Sequence, residues 1–180
     1  MEQNILHYRI AERGKMHALD KNHKEALRHY KEALKLTQKQ KDSELFFQHY
    51  SQCIMESLEL SGAHDEVISF CENYRNFLQE KEQDILVRKH NAFVGERQAI
   101  QHILKEEQEE AKELLLRIQK DLGRGKQPMT DELLNWLVRG YRIKADQVRR
   151  LQQKHNYFIV RKESVNPKIA MDLPEGISPF

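Results

Sequence analysis

The sequence predicts an all-α fold built from stacked antiparallel helix hairpins. Three observations carry that expectation. All four prolines (Pro128, Pro167, Pro174 and Pro179) fall after residue 127, so no ring interrupts a helix in the first two thirds of the chain. Charged residues make up 32% of the 180 positions, with only seven glycines and four prolines, which disfavours collagen-like, low-complexity and turn-rich all-β chains. A short pattern also recurs: residues 17–26 (HALDKNHKEA) lie over 58–67 (LELSGAHDEV) and 102–111 (HILKEEQEEA), at spacings of 41 and 44 residues. Periods of that size mark stacked helical hairpins, because each copy ends one helix, turns, and opens the next.

The elements follow in order. Leu6, Ile10, Arg13, Met16 and His17 keep a helical period, and Ala26, Leu27, Tyr30, Ala33 and Leu34 keep it again after Asp20-Lys21-Asn22-His23. Asn22 with Glu25 three residues on has the form of a capping box. The predicted hairpins pair 3–19 with 22–38, 43–60 with 64–80, and 83–105 with 107–122. Ser61-Gly62 supplies a left-handed helix exit, and Glu106, Glu107, Glu109 and Glu110 put negative charge at a helix start, where the macrodipole favours it. The run Gly123-Arg124-Gly125-Lys126-Gln127-Pro128 interrupts the pattern. Beyond it, Thr130 is expected to cap a helix over 131–139 containing Trp136, Gly140 to end it, and a last helix to span 143–155. These two helices suit a cap on an exposed apolar end face. Tyr157-Phe158-Ile159-Val160 is β-prone, and Asn166-Pro167 and Pro174 punctuate an extended tail that keeps Ile169, Met171, Leu173, Ile177 and Phe180. That apolar content suits a segment packed on its own repeats or on a partner.

Gly14, Ala26, Tyr30 and Ala33 stand where one familiar pattern has a small residue, Ala, an aromatic and Ala; Ala99 with Ala111, and Val67 with Tyr74, repeat parts of it. On these residues the stretch 5–122 resembles the tetratricopeptide repeats, with elongated helices. The resemblance implies a right-handed superhelical array of about three hairpins over 1–122, to which the chain's own signals add a cap at 123–156 and a tail at 157–180. It also implies non-catalytic work as an adaptor or chaperone-like module that binds a protein or peptide segment in or beside a concave groove. In the family's register the groove presents Tyr8, Lys15, His49, Gln52, Glu56, Glu59, Phe93 and Glu96, an acidic and partly aromatic surface. The later positions Ile100, Ile103 and Leu104 are apolar, so the cap or the tail is expected to cover them.

Other function classes find less support. Thirty basic and 28 acidic residues leave a formal charge of +2, so only local charge can attract a polyanion. Residues 139–162 carry eight Lys or Arg against Asp146 alone. Arg142, Arg149 and Arg150 there are the candidate phosphate contacts of an alternative, nucleic-acid-binding reading based on a superficial helix-turn-helix. Among nine histidines there is no HExxH; His49 and Cys53, at i,i+4, make half a metal site, and no metal or cofactor is expected. GxSxG and GxxxxGK[ST] are both missing, so no catalytic residue is assigned. Cys53 and Cys71 have no CxxC partner and suit a core. The charged N-terminal stretch and the lack of a long apolar run predict a cytoplasmic chain with no membrane partner.

Overall fold

The computed structural model describes residues 3–38 and 43–174. Among these the chain forms eight α-helices, one 3-10 turn and no strand. The helices are α1 (Gln3–Leu19), α2 (His23–Thr37), α3 (Ser43–Leu60), α4 (His64–Gln79), α5 (Ile85–Leu104), α6 (Gln108–Leu122), α7 (Pro128–Val138) and α8 (Ala145–Lys154). The 3-10 turn is Lys162–Ser164. The expected helices are thus present, with bounds moved by at most a few residues. Ile177 and Phe180 of the expected tail lie outside the described residues.

The recurring sequence pattern corresponds to a recurring turn. After α1, Lys21 takes φ 61° and the Asn22 N–H returns to the His17 carbonyl at 2.8 Å. After α5, Glu106 takes φ 65° and the Glu107 N–H returns to the His102 carbonyl at 2.8 Å. Gly62 (φ 82°) has the same left-handed place after α3, and Gly140 (φ 77°) after α7. A left-handed residue followed by a long backward amide bond is the Schellman helix stop, which satisfies carbonyls the helix leaves open. Asn22 then caps α2, accepting from the Glu25 N–H at 3.4 Å, as its spacing predicts.

Contacts divide the chain into two compact units, residues 1–62 with 158–180, and residues 63–157. In the first, α2 packs on both α1 and α3. Ala26, Tyr30 and Ala33 are fully buried on α2, and Gly14 of α1 admits the Tyr30 ring so closely that a Cβ there would sit 2.8 Å from Tyr30 Cε1. Among the described residues of this unit, one apolar cluster gathers around Ile10, Ala11, Ala33 and Tyr50 and another around Ala26, Tyr30, Cys53 and Ile54. Leu173 packs against the first cluster, and Ile159 and Val160 against the second. Residues 158–174 therefore pack on this unit through Ile159, Val160 and Leu173, and apart from the 3-10 turn they are neither helix nor strand.

In the second unit α5 packs on α4 and α6, α7 packs on α6, and α8 touches α5. Ala99, Ile100, Ala111, Leu115 and Leu133 are its fully buried apolar side chains on α5, α6 and α7, and the Arg97 guanidinium lies 4.5 Å from the Tyr157 ring centroid. The start of α7 corrects one expectation. Pro128 occupies its first turn, where a missing N–H is harmless, so the helix begins three residues before 131. Thr130 is freed from capping. Asp131 instead holds the preceding loop, accepting from the Gly125 N–H at 2.7 Å and the Gln119 amide at 2.6 Å.

Candidate functional site

The first unit contains a line of carboxylates engaged by the chain's own C-terminal segment. Glu56, on the fourth turn of α3, is 2% exposed. Its two oxygens accept the backbone N–H groups of Ile159 at 2.6 Å and Val160 at 3.1 Å. In a regular strand successive N–H groups point to opposite sides. Their convergence on one carboxylate requires the bend at Ile159, and that bend is why a β-prone stretch forms no strand here. The Ser164 hydroxyl fastens it from behind, accepting from the Arg161 N–H at 2.9 Å and donating to the Ile159 carbonyl at 2.7 Å.

A second carboxylate repeats the device on α1. Glu12, 1% exposed, accepts the Asn166 N–H at 2.6 Å through one oxygen and the Lys15 ammonium at 2.7 Å through the other. The paired charges and the donated amide compensate the desolvation that burying either ion alone would impose. Further along, the Met171 N–H bonds the Arg9 carbonyl at 3.0 Å, and the Arg9 guanidinium bonds the Ile169 carbonyl at 3.1 Å. The segment is thus held by its backbone, while Ile159, Val160 and Leu173 supply apolar anchors.

The residues expected to line a groove divide as follows. Lys15, Glu56 and Glu59 are buried in the first unit, His49 and Gln52 are half-buried, and Tyr8 is 39% exposed. The His49 ring packs edge-on to Tyr50, and burial, then the nearby Lys15 charge, holds its imidazole below the ordinary 6.5. Glu96 of the second unit is 4% exposed and accepts from the Thr130 hydroxyl at 2.6 Å. Burial pushes its carboxyl above the ordinary glutamate range, against the opposing pull of the Thr130 and Gln127 bonds. Phe93, three residues earlier on α5, is half-buried. Glu12 was missed by the sequence reading. Its signal was present, since it follows Tyr8 by four residues and precedes Lys15 by three, on one helical face.

The recurring histidines sit at turns and make polar contacts there. His102 Nδ1 lies 2.7 Å from a Glu107 oxygen, His64 Nδ1 lies 2.8 Å from Gln101 Oε1, and His23 Nδ1 lies 3.4 Å from Ser57 Oγ. Burial lowers the His23 imidazole below 6.5.

The basic stretch is partly countered by acids from elsewhere in the second unit. Arg142 pairs with Glu106 at 2.6 Å and Lys154 with Glu132 at 2.7 Å; within the stretch itself, Arg150 pairs with Asp146 one turn earlier. Arg149 is half-buried on α8, on the same helix as the buried Val148, Leu151 and Gln152. Arg161 and Lys162 belong to the other unit.

No helix among the described residues is long and apolar enough to cross a membrane. No protein-family model, no curated protein and no solved structure matches this chain.

Proposed function

We propose that this chain is a non-catalytic interaction module, a tetratricopeptide-like superhelical array of hairpins whose α1–α3 surface takes up an extended polypeptide segment. The single observation that carries the reading is the bidentate capture of two successive backbone amides by Glu56. A carboxylate that binds main-chain N–H groups can serve any segment able to bend in the same way, while apolar side chains beside it select among them. The chain's own residues 158–173 provide the template, with Ile159 and Val160 as the selected pair. A partner on this reading is a protein segment with two adjacent β-branched residues and free amides, and the tail in cis is its competitor. Stacked helices hold the carboxylates in place beforehand, which lowers the ordering cost of binding.

A labelled synthetic peptide of residues 157–173 tests this on the full chain. Tethering makes the cis segment a competitor at an effective concentration of order mM, so the parent should bind the peptide weakly. Ile159→Asp with Val160→Asp loosens the tail in cis, and this double variant should bind the parental peptide at least about 10-fold more tightly. Adding Glu56→Gln to it should remove much of that gain. A helical double variant that takes up no peptide defeats the reading, because the tail would then be structural filling alone.

A further inference from the structure

Three ligating side chains converge where α1, α2 and the C-terminal segment meet. His17, His29 and Asp172 each offer a donor atom, and the three donors lie within 4.8 Å of one another, the one such group of three or more His, Cys, Asp or Glu among the described residues. His29 is 3% exposed. Its Nδ1 lies 2.7 Å from the Glu25 carbonyl, which can only accept, so Nδ1 carries the proton and the Nε2 lone pair faces the other way. Nε2 is buried and has no hydrogen-bond partner. The atom it faces is Asp172 Oδ1 at 3.9 Å, and the His17 ring centroid stands 4.8 Å from its own.

An imidazole lone pair and a carboxylate oxygen are both acceptors. They stand 3.9 Å apart and His29 Nε2 has no donor of its own, so a cation held by both would satisfy the pair. Fixing one ring nitrogen on a backbone carbonyl while presenting the other is the outer-shell arrangement of metal-bound histidines. Asp172 is oriented as well: the same Oδ1 accepts from the Arg13 Nε at 2.7 Å, on a segment anchored one residue earlier by the Met171 amide.

We infer that His17, His29 and Asp172 form a zinc(II) site that fastens the C-terminal segment to α1 and α2. Two imidazoles and one carboxylate suit a borderline ion of the zinc type better than calcium or magnesium, which take oxygen ligands. Zinc bonds of about 2.0–2.2 Å require the donors to close by roughly 1 Å. His17 and Asp172 have the freedom to do so, being half-buried and exposed respectively, while His29 is the fixed member. Three protein ligands leave a fourth position for water or for a donor from another molecule.

Zinc alone is the probe, titrated calorimetrically into the untagged full chain in competition with a chromogenic chelator. One equivalent should bind. His17→Gln and Asp172→Asn, both at accessible side chains, should each weaken it at least about 10-fold, whereas His23→Gln and His49→Gln should leave it unchanged. At the same zinc concentration the melting temperature of the parent should rise more than that of Asp172→Asn. Cobalt(II) in the same site should give the intense visible bands of a tetrahedral nitrogen and oxygen set. Because His29 is buried, His29→Gln is used only if circular dichroism shows the parental helix content. Parental zinc affinity in both His17→Gln and Asp172→Asn, or binding spread over several equivalents and equally reduced by the His23 and His49 controls, overturns the assignment.

Discussion

Glycine 14 and glutamate 96 show how single residues in this chain are fixed by what lies against them. A Cβ on Gly14 would approach Tyr30 Cε1 to 2.8 Å and Cδ1 to 2.9 Å, and the fully buried ring has no room to retreat. Helix propensity favours Ala over Gly by about 1 kcal/mol, but overpacking costs about 1–3 kcal/mol, so Gly14→Ala should lose up to about 2 kcal/mol of stability. A denaturant midpoint at or above the parent's would show that α1 and α2 are not in tight contact there. At Glu96 the carboxyl is raised above its ordinary 4.5, first by burial. The native state therefore holds this proton more tightly than the unfolded chain does. Its contribution to stability is fully present below the unfolded value and is lost as pH rises through the folded one. Glu96→Gln keeps an acceptor for Thr130 and removes the charge. Its urea midpoint should exceed the parent's at about pH 8, and the difference should shrink towards about pH 4. A difference that does not change with pH would mean that Glu96 titrates as an ordinary surface acid.

At the scale of elements, the sequence was most legible where the physics is local. The repeat register rested on a few residues either side of each turn, and those same residues make the Schellman stops at Lys21 and Glu106 and the amide cap at Asn22. Two of these left-handed positions carry side chains, which strains them. Lys21, exposed on the α1–α2 turn, is the cleaner one to alter, because Glu106 also pairs with Arg142. Lys21→Gly should stabilise the chain by about 0.5–1 kcal/mol, since the relief of left-handed strain exceeds the extra entropy of glycine. A thermal melt checks this, and a fall in midpoint would show that the turn conformation is wrong. What the sequence did not reveal was the docking of the tail. It depends on Glu12 and Glu56 meeting amides 154 and 103 residues away, and a carboxylate on an amphipathic helix ordinarily reads as solvated. The tail is visibly apolar in sequence, but no local rule fixes where Ile159 and Val160 will land. Thr130 failed for the related reason that its hydroxyl found a distant acceptor, leaving Pro128 to open α7. The group of His17, His29 and Asp172 was beyond sequence reach as well, since its aspartate comes from the far end of the chain.

At the scale of the whole molecule, charge decides between the interaction module and the nucleic-acid reading. Residues 139–162 carry a net +7, eight basic side chains against one acid, which on sequence alone is a sizeable electrostatic footprint. Folding reduces it: Glu106 and Glu132, both outside that stretch, meet Arg142 and Lys154. Exposed pairs of this kind contribute only about 0–1 kcal/mol each to stability, yet they offset charge that a phosphate backbone would otherwise meet. If Arg142, Arg149 and Arg150 neutralised phosphates, changing all three to Gln would flatten the salt dependence of duplex binding by about 0.9 for each phosphate no longer neutralised. The expectation here is different. At about 0.15 M salt, where the screening length is about 8 Å, the parent should form no tight, sequence-selective complex with DNA or RNA. Weak attachment at lower ionic strength, abolished by modest salt, is what any locally basic surface gives and would not favour a regulator. Fluorescence anisotropy across a salt series, with duplex and single-stranded probes, separates the cases. A selective complex that persists at about 0.15 M and disappears in the triple variant would reverse the ranking, because salt-resistant discrimination requires contacts to bases in addition to phosphates.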